Sequence, residues 1–334
     1  MDCIQITEPG SIQLDSLPDP IRKISEAIIQ PLAGGICGTD VHIFQGNFIG
    51  NYPVIPCHEF SGKIVQIDDG ITGLMAGDMV AVDPNIRCGK CEPCRRGKKN
   101  ICRNYSAIGV TRPGGFSELV SVPVENLFPY EGGNITEAAF AEPLACVLYG
   151  QSRLDLEENR DILLFGAGAI GLLHLQVLSR IHSSRVTVVD IDSNRLERAK
   201  LLGAHSVIQA NADCSSELDK SSQRWDIVID ATGKTEPVEK MFKFLKSGGQ
   251  ALLFGVYPKE KSFLLNAFDV FLNDWQIFGS FTYRDEFASA VELLAEGRLD
   301  VDYLVDERIQ LKEVPEVMKL LNSGEKMGKV QVII

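Results

Sequence analysis

Between residues 161 and 281 the apolar and polar positions switch repeatedly between two periods. Asp161 to Phe165 is a short apolar run that reads as a buried strand. It breaks into the glycines of GAGAIG (166–171), after which apolar residues return at helical spacing at Leu172, Leu175, Val177 and Leu178. Val186 to Val189 is a second β-branched run, ended by Asp190. Trp225 to Asp230 reads as another buried strand and Thr235 to Lys246 as an amphipathic helix closed by Gly248 and Gly249. Gln250 to Val256 reads as the next strand and Trp275 to Phe281 as the last. Strands alternating with helices in this way predict an α/β domain with a doubly wound parallel sheet, which takes its ligand at the carboxyl ends of the strands. Residues 1 to 150 differ: their β-rich runs are short, Gly and Pro interrupt them often, and neither a repeat nor a low-complexity tract appears.

The glycine run carries chemistry because of what flanks it. A lone G-x-G-x-x-G is a weak signal, but here a strand precedes it, a helix follows, and Asp190 stands 19 residues beyond Gly171. Gly166 permits the tight turn, Gly168 lets a pyrophosphate approach the backbone and Gly171 lets helix and strand pack closely, with Ala169 and Ile170 completing the turn. The helix N-terminus favours the phosphates. Asp190 would accept hydrogen bonds from the adenosine ribose hydroxyls, and its charge opposes a 2′-phosphate, so NAD is expected over NADP. Arg195 lies close enough in sequence to stack on the adenine or meet a phosphate, and equally reads as a solvated helix cation. Thr232 with Gly233, and Gly255 to Tyr257, fall at strand ends where they would line the dinucleotide.

Composition narrows the class. With 334 residues, 45% hydrophobic and 23% charged, the chain is long enough for two domains with real cores. A net charge of −12 argues against a nucleic-acid partner, and the cations from Arg95 to Lys99 read as a local solvated loop. No apolar run reaches the roughly 18 to 20 residues of a membrane span. The start MDCIQITEPG lacks a signal-peptide pattern, so a cytoplasmic address is expected. Nine cysteines, an odd number, favour thiols and metal ligands over a disulfide framework.

Four of those cysteines, Cys88, Cys91, Cys94 and Cys102, follow C-x2-C-x2-C-x7-C in a stretch too polar to pack a core of its own. Four thiolates on such a loop suit tetrahedral zinc with every position filled by protein, so this ion would hold structure. Free thiols and an iron–sulfur cluster are the other readings. A second constellation, Cys37, His58, Glu59 and Glu142, lies in separate segments beside Gly or Pro. One sulfur, one imidazole and one or two carboxylates make a mixed site that need not be saturated and leaves room for water or an alcohol oxygen. Taken singly, Cys37 reads as a small buried hydrophobe, His58 as a core histidine and Glu142 as a first-turn helix carboxylate.

Together the segments ICGTDVH, PCHEFSG, the four-cysteine loop, AEPLACV, GAGAIG and VVDID resemble the zinc-dependent medium-chain alcohol dehydrogenases, and within them the sorbitol and other polyol dehydrogenases, along essentially the whole chain. The resemblance implies a Rossmann domain at 151–285 and a β-rich GroES-like catalytic domain built from 1–150 and 286–334. It implies two zinc ions per chain, with the catalytic one on Cys37, His58 and Glu59, and Glu142 as a ligand or as partner of a zinc-bound water. A homodimer or homotetramer is expected. These parts suggest transfer of hydride from a secondary alcohol to NAD, with Thr39 passing the proton on and His42 delivering it to solvent, although His42 also reads as an ordinary surface histidine. Polyols of the sorbitol, xylitol or arabinitol type lead as substrates; a polyol phosphate, sugar acid, vicinal diol or threonine uses the same apparatus. A zinc-free reductase on this fold would lack Cys37, His58 and Glu142 together, and a non-catalytic NAD- and zinc-binding scaffold would leave the proton relay without a purpose. Two positions depart from the pattern: Cys57 stands where Gly commonly precedes the His-Glu pair, and Phe281-Thr282-Tyr283-Arg284 replaces a Phe-Arg-Tyr arrangement thought to meet the polyol.

Overall fold

The computed structural model describes residues 1–68, 73–156, 159–211, 218, 222–325 and 327–334. The chain divides into two compact units, Met1–Ala145 with Arg284–Ile334, and Cys146–Tyr283.

The first unit is β-rich. Asp2–Glu8 (β1) and Ser11–Ser16 (β2) form an antiparallel hairpin. Glu26–Gly35 (β3) and Glu59–Gln66 (β4) pair antiparallel at the centre of a seven-stranded sheet. Pro31, which has no N–H to give the ladder, coincides with a register shift in β3. Met79–Val82 (β5) follows β4 in the sheet, the two-residue strands Asn85–Ile86 (β6) and Ser106–Ala107 (β7) pair separately, Val120–Pro123 (β8) pairs with β3, and Leu127–Pro129 (β9) closes one side. Ile29, Phe60, Ile64, Val80, Phe116 and Val122 form the core between these strands. The helix Ala141–Gln151 carries the chain across the unit boundary.

The second unit is a six-stranded, wholly parallel sheet. Its strands are Asp161–Phe165 (β10), Arg185–Asp190 (β11), Ser206–Gln209 (β12), Trp225–Asp230 (β13), Leu245–Leu253 (β14) and Gln276–Gly279 (β15). They run β12-β11-β10-β13-β14-β15, a Rossmann order in which the chain reverses direction across the sheet between β10 and β13. Ile162, Leu163, Leu164, Val186, Val188, Val228 and Ile229 are completely buried, as strands covered on both faces require.

Three elements differ from the pattern-based expectation, among them the last strand, which runs Gln276–Gly279 and not the expected 275–281. The helix expected over 235–246 runs only Thr235–Met241, passes through a 3-10 turn at Phe242–Phe244 and enters β14 at Leu245. Phe244 stands edge-on to the fully buried Trp225, with ring centroids 6.3 Å apart, so tertiary packing claims residues that also satisfy a helical period. Gly248, at φ 74°, sits within the strand as an irregularity, since Trp225 pairs with Leu245 but Ile227 pairs with Gln250. β14 ends at Leu253, before the expected Val256, because the N–H groups of Phe254 and Gly255 both turn to the Asp230 carbonyl.

The C-terminal stretch rejoins the first unit. Val305–Gln310 (β16) pairs parallel with Lys329–Ile333 (β17), and β17 pairs antiparallel with β3. That return places Lys329 beside the end of β3 and the start of β4.

Candidate functional site

Cys37, His58 and Glu59 come from two chain segments joined by the β3–β4 pairing, and their ligand atoms all lie within 4.8 Å of one another. Cys37 caps the short helix Gly38–Phe44 (α1). Asp40, completely buried in that helix, accepts the Cys37 N–H at 2.9 Å through Oδ2 and the Cys57 N–H at 3.3 Å through Oδ1. One carboxylate thus fixes both ligand-bearing segments. His58 Nδ1 is buried without a hydrogen-bond partner, 3.7 Å from Asp40 Oδ1. Burial opposes a charge on His58, but the Cys37 sulfur and the Asp40 carboxylate outweigh it and raise its pKa well above the ordinary value.

Glu59 is buried at the first position of β4 and forms an ion pair through Oε2 with Lys329 Nζ. Lys329 also donates to the Ile36 carbonyl at 3.2 Å. Burial disfavours the ammonium, yet the Glu59 carboxylate reverses this and raises the pKa of Lys329. Gly35 makes the pair possible, because a Cβ there would lie 2.3 Å from Glu59 Oε2 and 2.8 Å from Lys329 Nζ. A sulfur, an imidazole nitrogen and a carboxylate converging at a largely buried point, with a buried imidazole nitrogen left without a hydrogen-bond partner, fit a divalent zinc ion. Asp40 and Lys329 escape sequence reasoning for different reasons: Asp40 sits at an acid-tolerant third helix position, and Lys329 is 270 residues from its partner.

Thr39 and His42, both half-buried, lie three residues apart on α1 and so on one face of it. Glu142 occupies the first turn of the Ala141–Gln151 helix, half-buried, and stands outside the tight three-residue group. Cys57 adopts φ 82°, the left-handed region that favours glycine. Its thiol donates to the Glu59 carbonyl at 3.4 Å, and Gly34 leaves it room, since a Cβ there would lie 2.6 Å from Sγ. Burial pushes the thiol pKa well up, so Cys57 packs as a neutral group.

The four loop cysteines also converge, with all sulfurs within 4.8 Å and Cys102 Sγ 3.5 Å from that of Cys88. Cys91 caps a single helical turn, Glu92–Arg95, that carries Cys94 inward. Backbone N–H groups of Lys90 and Cys91 aimed at Cys88 lower its pKa to about 6, whereas burial and the neighbouring thiols push Cys94 up to about 12. Four sulfurs this close with amides ready to receive thiolate charge fit a closed tetrahedral metal site. Arg284, from the atypical 281–284 stretch, donates Nε to Asn100 Oδ1 at 3.3 Å in this lobe.

In the second unit the glycine turn lies at the carboxyl ends of β10 and β13, the switch point of the sheet. Gly166 has φ 101°, and Gly168 caps the helix Ala169–Arg180 with open space where its Cβ would be. A Cβ on Gly171 would lie 1.9 Å from the Gly166 carbonyl oxygen, so only glycine lets the helix close on the turn. Ala169 and Ile170 form the first turn of that helix. Asp190 ends β11 and accepts the Ala167 N–H at 2.7 Å and the Asp192 N–H at 2.9 Å. Asp192 caps the helix Ser193–Leu201, in whose first turn Arg195 sits half-buried. Thr232 and Gly255 follow β13 and β14, and a Cβ on Gly166 would lie 3.2 Å from Thr232 Cγ2. This glycine-lined cradle at a helix N-terminus fits the pyrophosphate of a dinucleotide.

Comparison with known proteins agrees with both units. Residues 23–132 match the alcohol dehydrogenase GroES-like domain and residues 169–296 the zinc-binding dehydrogenase domain. D-altritol 5-dehydrogenase of Agrobacterium fabrum is 33% identical over 94% of this chain and 94% of its own length. D-arabinitol dehydrogenase 1 of Uromyces fabae is 28% identical over 97% and 95%, and L-threonine 3-dehydrogenase of Rhizobium etli 29% over 95% and 93%. Among solved structures, a zinc-binding dehydrogenase of Sinorhizobium meliloti bound to NADP has a TM-score of 0.92 at 29% identity, covering 100% of this chain and 99% of that one. An Escherichia coli alcohol dehydrogenase complexed with NADH matches with the same score at 27% identity, covering 100% and 99%. The chain belongs to the zinc-dependent medium-chain alcohol dehydrogenase family. It is an oxidoreductase that acts on CH–OH donors with a nicotinamide cofactor and zinc.

Proposed function

We propose that this enzyme oxidises a secondary alcohol of a polyol to the ketose with NAD, using one catalytic and one structural zinc ion per chain, as a cytoplasmic homo-oligomer. The convergence of Cys37, His58 and Glu59 on one pocket carries the reading. Relatives that act on altritol and arabinitol support a polyol, and the threonine 3-dehydrogenase marks the alternative.

Bound zinc would supply Lewis-acid polarisation of the substrate hydroxyl, and the nicotinamide would accept hydride. Cys37, His58 and Glu59 would hold the ion, with Asp40 fixing the backbone at Cys37 and at Cys57, next to His58, and Lys329 fixing Glu59. Glu142 would serve as a further ligand or would hold a water beside the ion. The Thr39 hydroxyl would accept the substrate proton as it hands its own on toward His42, on the same helix face, from which it passes to solvent. Cys88, Cys91, Cys94 and Cys102 would hold the second ion and leave it no open position. Preference for NAD rests on Asp190, whose carboxylate is pinned at the end of β11 by two backbone N–H groups and repels a 2′-phosphate. Association is supported by β15, an edge strand flanked by the exposed Phe268, Phe271, Leu272 and Phe281.

NADH absorbance followed across polyols, polyol phosphates and threonine, with NADP as the control, tests the reading. Highest kcat/KM with an unphosphorylated polyol and NAD is expected. Turnover confined to threonine or to phosphorylated substrates would remove the polyol assignment.

A further inference from the structure

Asp230 is completely buried at the carboxyl end of β13, and no step of the proposed reaction uses it. Its Oδ1 accepts the Thr232 hydroxyl at 2.6 Å, and its Oδ2 accepts the Gly233 N–H at 3.2 Å and the Tyr257 hydroxyl at 2.6 Å. Its backbone carbonyl takes the N–H groups of Phe254 and Gly255 at 3.0 and 3.1 Å. One residue therefore grips two segments, the turn after β13 and the segment after β14, by side chain and main chain together.

Those segments leave no slack. A Cβ on Gly233 would lie 2.7 Å from the Val256 carbonyl oxygen, and one on Gly255 would lie 2.2 Å from the Gly233 nitrogen. On the other side the Gly166 turn packs against Ala231 and Thr232. Burial raises the pKa of Asp230, and burial together with Asp230 raises that of Tyr257, so the pair is held against the preference of both groups for water. A buried polar network that is fully satisfied rigidifies its surroundings. Here those surroundings are Thr232 and Gly255, at the mouth of the sheet's switch point.

We propose that Asp230 and Tyr257 form a latch that holds the Thr232 and Gly255 segments in the spacing that receives the dinucleotide. Tyr257 is then a positioning residue for the cofactor. The inference rests on reading those segments as part of the cofactor site. Without the phenol, the Gly255–Tyr257 segment, whose Val256 is already 67% exposed, must be ordered anew each time cofactor binds. That ordering weakens affinity without touching the reacting atoms.

Fluorescence titration of the purified zinc-loaded enzyme with NADH tests the latch. Tyr257→Phe is expected to raise the NADH dissociation constant about tenfold, the factor equivalent to about 1.4 kcal/mol. KM for the cofactor should rise in step while kcat at saturation changes less. Thr232→Val should weaken binding similarly, and Thr232→Ser, which keeps the hydroxyl, should restore it. If Tyr257→Phe does not fold, an unchanged NADH dissociation constant in Thr232→Val, which lacks the hydroxyl held by Asp230, overturns the latch. An unchanged NADH dissociation constant in Tyr257→Phe, with or without a lowered melting temperature, overturns the latch and leaves the pair a purely structural role. A wild-type enzyme that itself fails to bind NADH removes instead the cofactor reading beneath it.

Discussion

At the residue scale the candidate active site depends on few atoms. Cys37 contributes the only sulfur of the three-residue group, so Cys37→Ser should lose one zinc ion per chain and nearly all turnover. NADH binding should persist, because the glycine turn lies in the other unit. Metal analysis alongside NADH titration checks both, and undiminished turnover at unchanged metal content would sink the assignment. His174 behaves oppositely: it is completely buried, its ring meets Phe254 edge-on at 4.5 Å, and burial lowers its pKa to about 3. The unfolded chain binds a proton near pH 6.5 that the native one refuses until about pH 3. Stability is therefore complete above the unfolded value and falls with acid by about 1.4 kcal/mol per pH unit through that window. Denaturation at pH 7 and pH 5 should show a stability loss about 2 kcal/mol smaller in His174→Gln than in the wild type.

At the element scale, the cysteine lobe and the glycine turn were legible because each is local in the chain: the residues that cooperate are within a few positions of one another. Asp161–Phe165 and Trp225–Asp230 were equally legible, because uninterrupted apolar runs bounded by turns suit strands buried on both faces. The 235–246 stretch was not. Val238, Met241, Phe242 and Leu245 fit a helical stripe, but in the fold Phe244 packs edge-on against Trp225 and the chain straightens at Leu245. The cysteine lobe holds one helical turn and a 3-10 turn, with little apolar packing of its own beyond its sulfurs. If the lobe holds the proposed structural ion, Cys91→Ser should lower zinc by one ion per chain and lower the melting temperature by several degrees, since a lost ligand costs a small lobe most of its cohesion. Calorimetry with metal analysis reads both effects, and an unchanged melting temperature would show that the lobe stands without its ion.

At the scale of the whole molecule, a net charge of −12 opposes association, yet the helix Ala267–Asn273 beside the edge strand buries none of its side chains. Phe271, 78% exposed, should become covered when two copies meet. Sedimentation should find the wild type dimeric or tetrameric and Phe271→Asp shifted toward monomer; a monomeric wild type would remove the homo-oligomer proposal.

The sequence by itself determined the parallel-sheet unit, the glycine turn at its first strand and the clustered cysteines, because backbone geometry and tetrahedral ligation impose short, fixed spacings. It also named Cys37, His58 and Glu59, but through family resemblance, since nothing in their spacing fixes a distance. Only tertiary structure joined Asp40 to Cys57, Lys329 to Glu59 and Asp230 to Tyr257. Buried charges and polar groups take partners from wherever strand register brings them, and register across long connections is set by the packing of the folded core.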